Sequence, residues 1–565
     1  MAKAEHARIA LASGTGKRRM PRPLFPHERF VRVARASRKW LPANSVGKLS
    51  LLLVILGLLW RVVWFGLRMP LWGDEAFVAV NLLARDVAGL LRPLEYWQVA
   101  PFGFMVAEWT VCRLMGATEW ALRLLPFLAG AGALLLFWRF ARQVLGRWEA
   151  LLAVAVYSSS YYAVRHSCEV KPYAVDMLVS LLLMVVGWSL WQNPRTVRGW
   201  LALGAVAAIG VWCSFPAAFT GGAVGVLLSL RVLRTGERGP WAGWLAFGLA
   251  LVGSWALMVA LYAAPQAKAA MQSIDTVAWE AAYPPLQKPW KLPWWLIQVH
   301  TGYMLAYPVG GSGYSSVLTL LYVVIGSIAL ARRRPALVWL LLGPLPFNFV
   351  AAALHRYPYG TSARIALYMA PSFCLLAGVG LAASLKRVVP ARFARAGFFA
   401  LAGALGLIPL LGMAINLVKP YRSVDDVHHR QAIRRLASES RPGDRWLVYN
   451  GLDGLPRWPG MMLSPWLQQE GEVRFYLLQQ ARVPLQWIGD PLRIESLAKG
   501  TGRIWLITHK TGFPNFPDNV LAYMRLVLTM KRGAPRHERI ALNAPEQLEV
   551  DVFPALLTSA RSNPR

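Results

Sequence analysis

Acidic residues are scarce in this chain. Only 28 Asp and Glu stand against 61 Lys and Arg over 565 residues. Cysteine is scarcer still: Cys112, Cys168, Cys213 and Cys374 are the whole set, and no two of them stand in CxxC spacing. That excludes a zinc ribbon and a disulfide scaffold, and predicts buried or membrane-edge thiols. No glycine-rich phosphate cradle is present, which removes the usual sign of a nucleotide site. No internal repeat is visible. The first 48 residues are Arg-rich and hold no early apolar core. They read as a basic cytoplasmic tail and not as a cleavable signal peptide.

What is present is apolar. Hydrophobic residues make up 56% of the chain and charged residues 16%, as in polytopic membrane proteins. The formal charge of +33 raises nucleic acid as a partner. The bases, however, fall in short clusters between apolar runs, as cytoplasmic loops do beside anionic lipid. No nucleic-acid partner is expected. A spanning helix needs roughly 20 apolar residues. About eleven spans are predicted, near 49–67, 122–141, 150–165, 173–191, 199–214, 216–231, 241–262, 314–331, 337–354, 365–385 and 395–418. Basic clusters such as Arg142 and Arg147, Arg231 to Arg238 and Arg332–Arg334 fall on alternate loops, which predicts a cytoplasmic N-terminus. The loops 68–121, 166–172, 263–313 and 355–364 are then outside, and so is the segment from about 419.

The expected fold is therefore an all-α polytopic membrane domain over 49–418 with a small extracytoplasmic α/β domain over 419–565. In that last segment RPGDRWLVYN and RIWLITH read as strands, and DDVHHRQAIRRLASES as a helix with Ile433 and Leu436 on one face. EWTVCRLM and WALRLL in the first outer loop suit helices lying along the interface.

Three outer segments carry candidate chemistry. RMPLWGDEAF places Asp74 and Glu75 just past the first span. They could be ordinary helix-start acids. With Trp72 and Phe77 beside them, adjacent carboxylates in poor solvent raise one another's pKa and make a proton acceptor. YYAVRHSCEVKPYAVD holds Arg165, His166, Glu169, Lys171, Tyr173 and Asp176. Pro172 favours an extended Lys171 and can open the next helix. Glu169 and Lys171 then point to one side at headgroup depth, suited to a lipid phosphate; the alternative is a snorkelling lysine. Asp176 lies about a turn into a span, where an acid is usually functional or paired. LHRYPYGTSARIALYMAP brings Arg364 to the start of another span, as a second phosphate contact or an anchor. His166 alone, and the neighbours His428 and His429 beside Asp425 and Asp426, lack metal-ligand spacing, so no metal is assigned.

Taken together, WGDEA after the first span, CEVKPYA before a later one, the late Arg-bearing loop and an outer C-terminal domain resemble the GT-C fold glycosyltransferases that use polyprenyl-phosphate sugars. Within them, the chain is similar to the bacterial branch related to protein O-mannosyltransferases and to the aminoarabinose transferase of lipid A. The resemblance covers roughly 49–418. It implies Asp74 as general base, Glu75 shaping the acceptor site, and Lys171 and Arg165 holding the donor phosphate, oriented by Glu169 beside Tyr173. Arg364 is a further phosphate contact. Relatives often carry S-Q-E-x-R-P-Y where this chain has S-C-E-V-K-P-Y, so Cys168 and Lys171 replace Gln and Arg. Lysine keeps the charge but loses the bidentate fork. The resemblance implies a bacterial inner-membrane location, a polyprenyl-phosphate sugar donor, a glycan, lipid or protein hydroxyl as acceptor, and inversion. It leaves a divalent metal cation open as cofactor. A flippase for lipid-linked sugars would favour charged or broken helices at mid-membrane and repeated halves. A non-catalytic envelope assembly protein would leave Asp74 dispensable.

Overall fold

The computed structural model describes residues 44–271, 280–420, 424–441, 443–449, 474–476, 478–479, 485–487, 494–499, 501–510, 518–543 and 546–556. The tail up to residue 43 lies outside them. Apolar length decides where the chain crosses the bilayer. Among the described residues, eight helices are long and apolar enough: Ser45–Gly66, Glu119–Val144, Tyr173–Gln192, Ala217–Thr235, Arg238–Ala269, Pro335–Ala353, Leu367–Val388 and Ala391–Val418. Val197–Cys213 and Val317–Ala331 are shorter apolar helices. The expected span at 150–165 differs. It is a 12-residue helix, Arg147–Ser158, followed by a single turn, Tyr161–Arg165. The break falls at two serines whose hydroxyls bond backbone carbonyls instead: Ser160 Oγ to Val156 O at 2.7 Å and Ser159 Oγ to Leu405 O at 2.7 Å. Such bonds compete with the helical ladder.

Ten helices position the site and its surroundings. Numbered in chain order, α1 is Ser45–Gly66, α2 Gly73–Ala84, α3 Phe102–Met115, α4 Glu119–Val144, α5 Arg147–Ser158 and α6 Tyr173–Gln192. Beyond them, α7 is Val317–Ala331, α8 Ala370–Val388, α9 Ala391–Val418 and α10 Val424–Ser438. α5 is the buried centre, covered by α1, α8 and α9. α8 meets it at Gly378, where a Cβ would lie 2.4 Å from the Ala153 nitrogen. α8 meets α7 at Gly380, where a Cβ would lie 1.9 Å from the Tyr322 carbonyl oxygen. Small residues let backbones approach where lipid offers no hydrophobic drive.

The loop after the first span carries α2 and α3. EWTVCRLM is helical, as expected, within α3. WALRLL is not a separate interfacial helix: it continues into the apolar run and forms the start of α4.

The C-terminal region holds a five-stranded sheet of β1 (Arg445–Tyr449), β2 (Leu485–Trp487), β3 (Ile504–Lys510), β4 (Arg536–Asn543) and β5 (Glu546–Phe553) in the order β2-β1-β3-β5-β4. β1 is parallel to β2 and β3, while β5 is antiparallel to β3 and β4. Both expected strands are there, joined by the stacked, buried pair Trp446 and Trp505, with ring centroids 5.0 Å apart. α10 buries Ile433 and Leu436, the two positions its periodicity marks. An adjacent face reaches the membrane domain. Arg430 and Arg434 both bond the buried Glu119 carboxylate at the start of α4, at 3.1 and 3.0 Å. The Tyr476 hydroxyl accepts from the Leu71 N–H at 3.4 Å.

Candidate active site

The site is built where α2 begins. Trp72 is extended and ends the loop, and Gly73 opens the helix. Asp74 and Glu75 fall in the first turn, where the helix N-terminus favours carboxylates. Successive helical positions point about 100° apart, so the two acids diverge.

Glu75 turns inward and is 1% exposed. It receives both Nε and Nη2 of Arg123, at 2.8 and 2.5 Å, and the Val170 N–H at 2.9 Å. It also accepts from the Trp72 N–H at 3.3 Å, closing the first turn. Arg123 bonds the Met69 and Pro70 carbonyls as well. Glu75 is thus the cornerstone joining the Asp74 loop to the Lys171 loop. The sequence points to it as shaping the acceptor site; here its carboxylate is buried against Arg123 and the Val170 N–H.

Asp74 turns the other way. Its Oδ1 lies 3.0 Å from Lys171 Nζ and its Oδ2 lies 2.7 Å from Arg364 Nη1. Three distant segments converge on one carboxylate. Pro172 caps α6, as expected, and Lys171 stands just before it. Gln98, from the loop after the first span, accepts a second bond from Lys171 Nζ at 2.6 Å. Glu169 does not pair with Lys171. It holds Arg165 Nε at 2.9 Å and His166 Nδ1 at 2.7 Å. Tyr173, half-buried at the start of α6, sets its ring edge-on to His166 at 5.5 Å.

The charges explain the electrostatics. Burial pushes the Asp74 carboxyl up, but Lys171 and Arg364 outweigh it and hold the group below its ordinary value. Asp74 is not raised as an acidic neighbour would predict, because the Glu75 carboxylate points away from it to Arg123. Burial lowers Lys171, and Asp74 only partly restores it. Burial also raises Glu169, yet His166 and Arg165 bring it down to about 2. Cys168 faces the packed interior, with Sγ 3.6 Å from the Arg61 carbonyl, and burial pushes its thiol up to about 12. The residue standing where relatives carry Gln is an inert thiol in the wall.

Sequence reasoning missed Gln98 and Arg123. Gln98 is a neutral loop residue without a pattern. Arg123 has one signal, a base inside an otherwise apolar run. For a divalent cation the donor set does not fit. Asp74 is engaged by two cations, and Glu169 by Arg165 and His166. No group of three or more His, Cys, Asp or Glu comes together among the described residues. The side chains of Asp425, Asp426 and His429 lie outside the described residues.

Residues 99–257 match the family described as dolichyl-phosphate-mannose-protein mannosyltransferase. No curated protein matches the chain by sequence. Among solved structures, the chain is similar to ArnT from Cupriavidus metallidurans bound to undecaprenyl phosphate. The TM-score is 0.53 and the identity 14%, over 92% of this chain and 100% of that one. The apo ArnT structure aligns at TM-score 0.49 and 14% identity, over 86% and 96% of the two chains. Archaeal oligosaccharyltransferase AglB from Archaeoglobus fulgidus aligns at 0.44 and 11%, over 81% and 69%. With eight described helices long and apolar enough to cross a bilayer, the chain is a multi-pass membrane protein whose fold is similar to that of ArnT.

Proposed function

We propose that the chain transfers a sugar from a polyprenyl phosphate to an acceptor hydroxyl at the extracytoplasmic face of a bacterial inner membrane. One observation carries this reading: a single carboxylate, Asp74, is held between two cations, Lys171 and Arg364, beside the end of the first span. In the free protein Asp74 is their counter-ion. A donor phosphate is the natural replacement, since Lys171 and Arg364 suit its oxygens. Once displaced, Asp74 loses the two charges that hold its pKa down and becomes a better base.

The chemistry then balances. The acceptor oxygen attacks the anomeric carbon and gives its proton to Asp74. The bond from that carbon to the phosphate oxygen breaks, and the polyprenyl phosphate leaves with the electron pair. Lys171 and Arg364 stabilise the charge that develops on it. A single displacement inverts the anomeric centre. Glu169 fixes Arg165 as a flanking cation. The transferred group is a hexose or pentose, and the acceptor is an envelope glycan, a lipid or a protein. The division into a basic cytoplasmic tail, a catalytic membrane domain over 49–418 and an outer domain from 419 belongs to this proposal.

The test separates binding from turnover with Asp74→Asn. Because the variant removes the competing counter-ion, it binds undecaprenyl phosphate at least as tightly as wild type. Transfer falls by about 10²–10⁴. In a strain lacking the chromosomal copy, one polyprenyl-phosphate sugar then accumulates with Asp74→Asn and falls with wild type, and mass spectrometry names it. Equal lipid profiles with both forms, in a strain without a redundant enzyme, would sink the transferase reading in favour of a transporter or assembly role.

A further inference from the structure

Lys171 has a second partner, and that partner leads out of the membrane domain. Gln98 accepts from Lys171 Nζ at 2.6 Å, and its own Nε2 donates to the Tyr96 carbonyl at 3.1 Å. Tyr96 has φ +58°, a left-handed conformation uncommon for a tyrosine. Such a residue persists only where its surroundings over-determine it. From below, its ring stacks on Phe77 of α2, with centroids 4.6 Å apart. The preceding Glu95 N–H donates to Asn81 Oδ1 at 2.9 Å. From outside comes Arg474 of the C-terminal region. It forms an ion pair with Glu95, which also has Arg85 at 3.7 Å. Arg474 donates to the Tyr96 hydroxyl at 3.4 Å, with its guanidinium 5.7 Å from the ring centroid.

We propose that Arg474 is a positioning residue. Through Glu95, Tyr96 and Gln98 it lets the outer domain set the place of Lys171, and with it the affinity for the donor phosphate. This rests on Lys171 being a phosphate ligand, as proposed above. The outer domain is then part of the donor site without touching the donor.

Full-length protein in detergent is titrated with undecaprenyl phosphate, and native mass spectrometry reads dissociation constant and saturating stoichiometry. Arg474→Gln weakens the constant by about fivefold or more, with stoichiometry unchanged. Gln98→Ala weakens it comparably, and the double variant is no weaker than Gln98→Ala alone. Additive losses, or an Arg474→Gln constant within about twofold of wild type, overturn the relay. A lower stoichiometry with an unchanged constant also overturns it, since Arg474 then only holds the fold. Glu95→Gln repeats the measurement from the membrane side if Arg474→Gln does not fold. Lys171→Met keeps the two ideas apart. If it weakens binding while Arg474→Gln does not, the relay alone fails; if it leaves binding unchanged, the phosphate reading fails first.

Discussion

Single residues here are governed by whether a buried charge finds a partner. Glu75 finds Arg123, Asp74 finds two cations, and Glu108 of α3 is fully buried with no hydrogen bond to either oxygen among the described residues. Burial holds its carboxyl well above the ordinary 4.5. The folded form keeps a proton that the unfolded chain releases, so this contribution to stability is present below 4.5 and is lost as pH rises towards the folded value. Glu108→Gln carries an uncharged amide of the same shape and removes that slope. Thermal unfolding at about pH 5 and about pH 8 should show wild type losing more melting temperature than the variant. Parallel shifts would mean that Glu108 is ionised or solvated. Asp74 and Lys171 were readable in the sequence because charges beside apolar runs are conspicuous. The pairing was not, since no spacing says that Glu75 swings to Arg123 or that Glu169 turns away from Lys171. Gln98 was invisible, because a neutral amide in a loop acquires its role only from the neighbour that folding supplies.

At the scale of elements, apolar length located the spans, since hydropathy measures the property a bilayer selects. It failed at the predicted 150–165, where two serine hydroxyls interrupt a helix without lowering its hydropathy much. It also overlooked what sets helix spacing. The crossing of α7 on α8 depends on Gly380 lying against the Tyr322 carbonyl. Gly380→Val puts side-chain atoms into backbone, which has no rotamer to yield. Overpacking of this kind costs about 1–3 kcal/mol or more. A lower melting temperature in detergent with unchanged helical circular dichroism is the expected result; an unchanged melting temperature would show that the helices separate freely.

At the scale of the molecule, the C-terminal region docks through charge. Glu119 is buried and shared by Arg430 and Arg434. Glu119→Gln leaves both guanidiniums with a weak acceptor, so hydrogen exchange should rise along α10 and at the Leu71 amide, which Tyr476 holds. Exchange confined to position 119 and its neighbours in α4 would mean that the docking has other support. Composition set the C-terminal region apart, through shorter apolar runs and more charge, but could not say where it would sit. Its grip has a consequence in time. The contacts of the site join residues 97, 290 and 405 positions apart: Asp74 with Lys171, Asp74 with Arg364, and Leu71 with Tyr476. Synthesis runs in that order, so Lys171 is available early, Arg364 later and the clamp last of the three. A chain still on the ribosome, with most of its spans already inserted, holds half a site and no clasp. The contact between Leu71 and Tyr476 therefore forms only once a segment translated after every described span has been made.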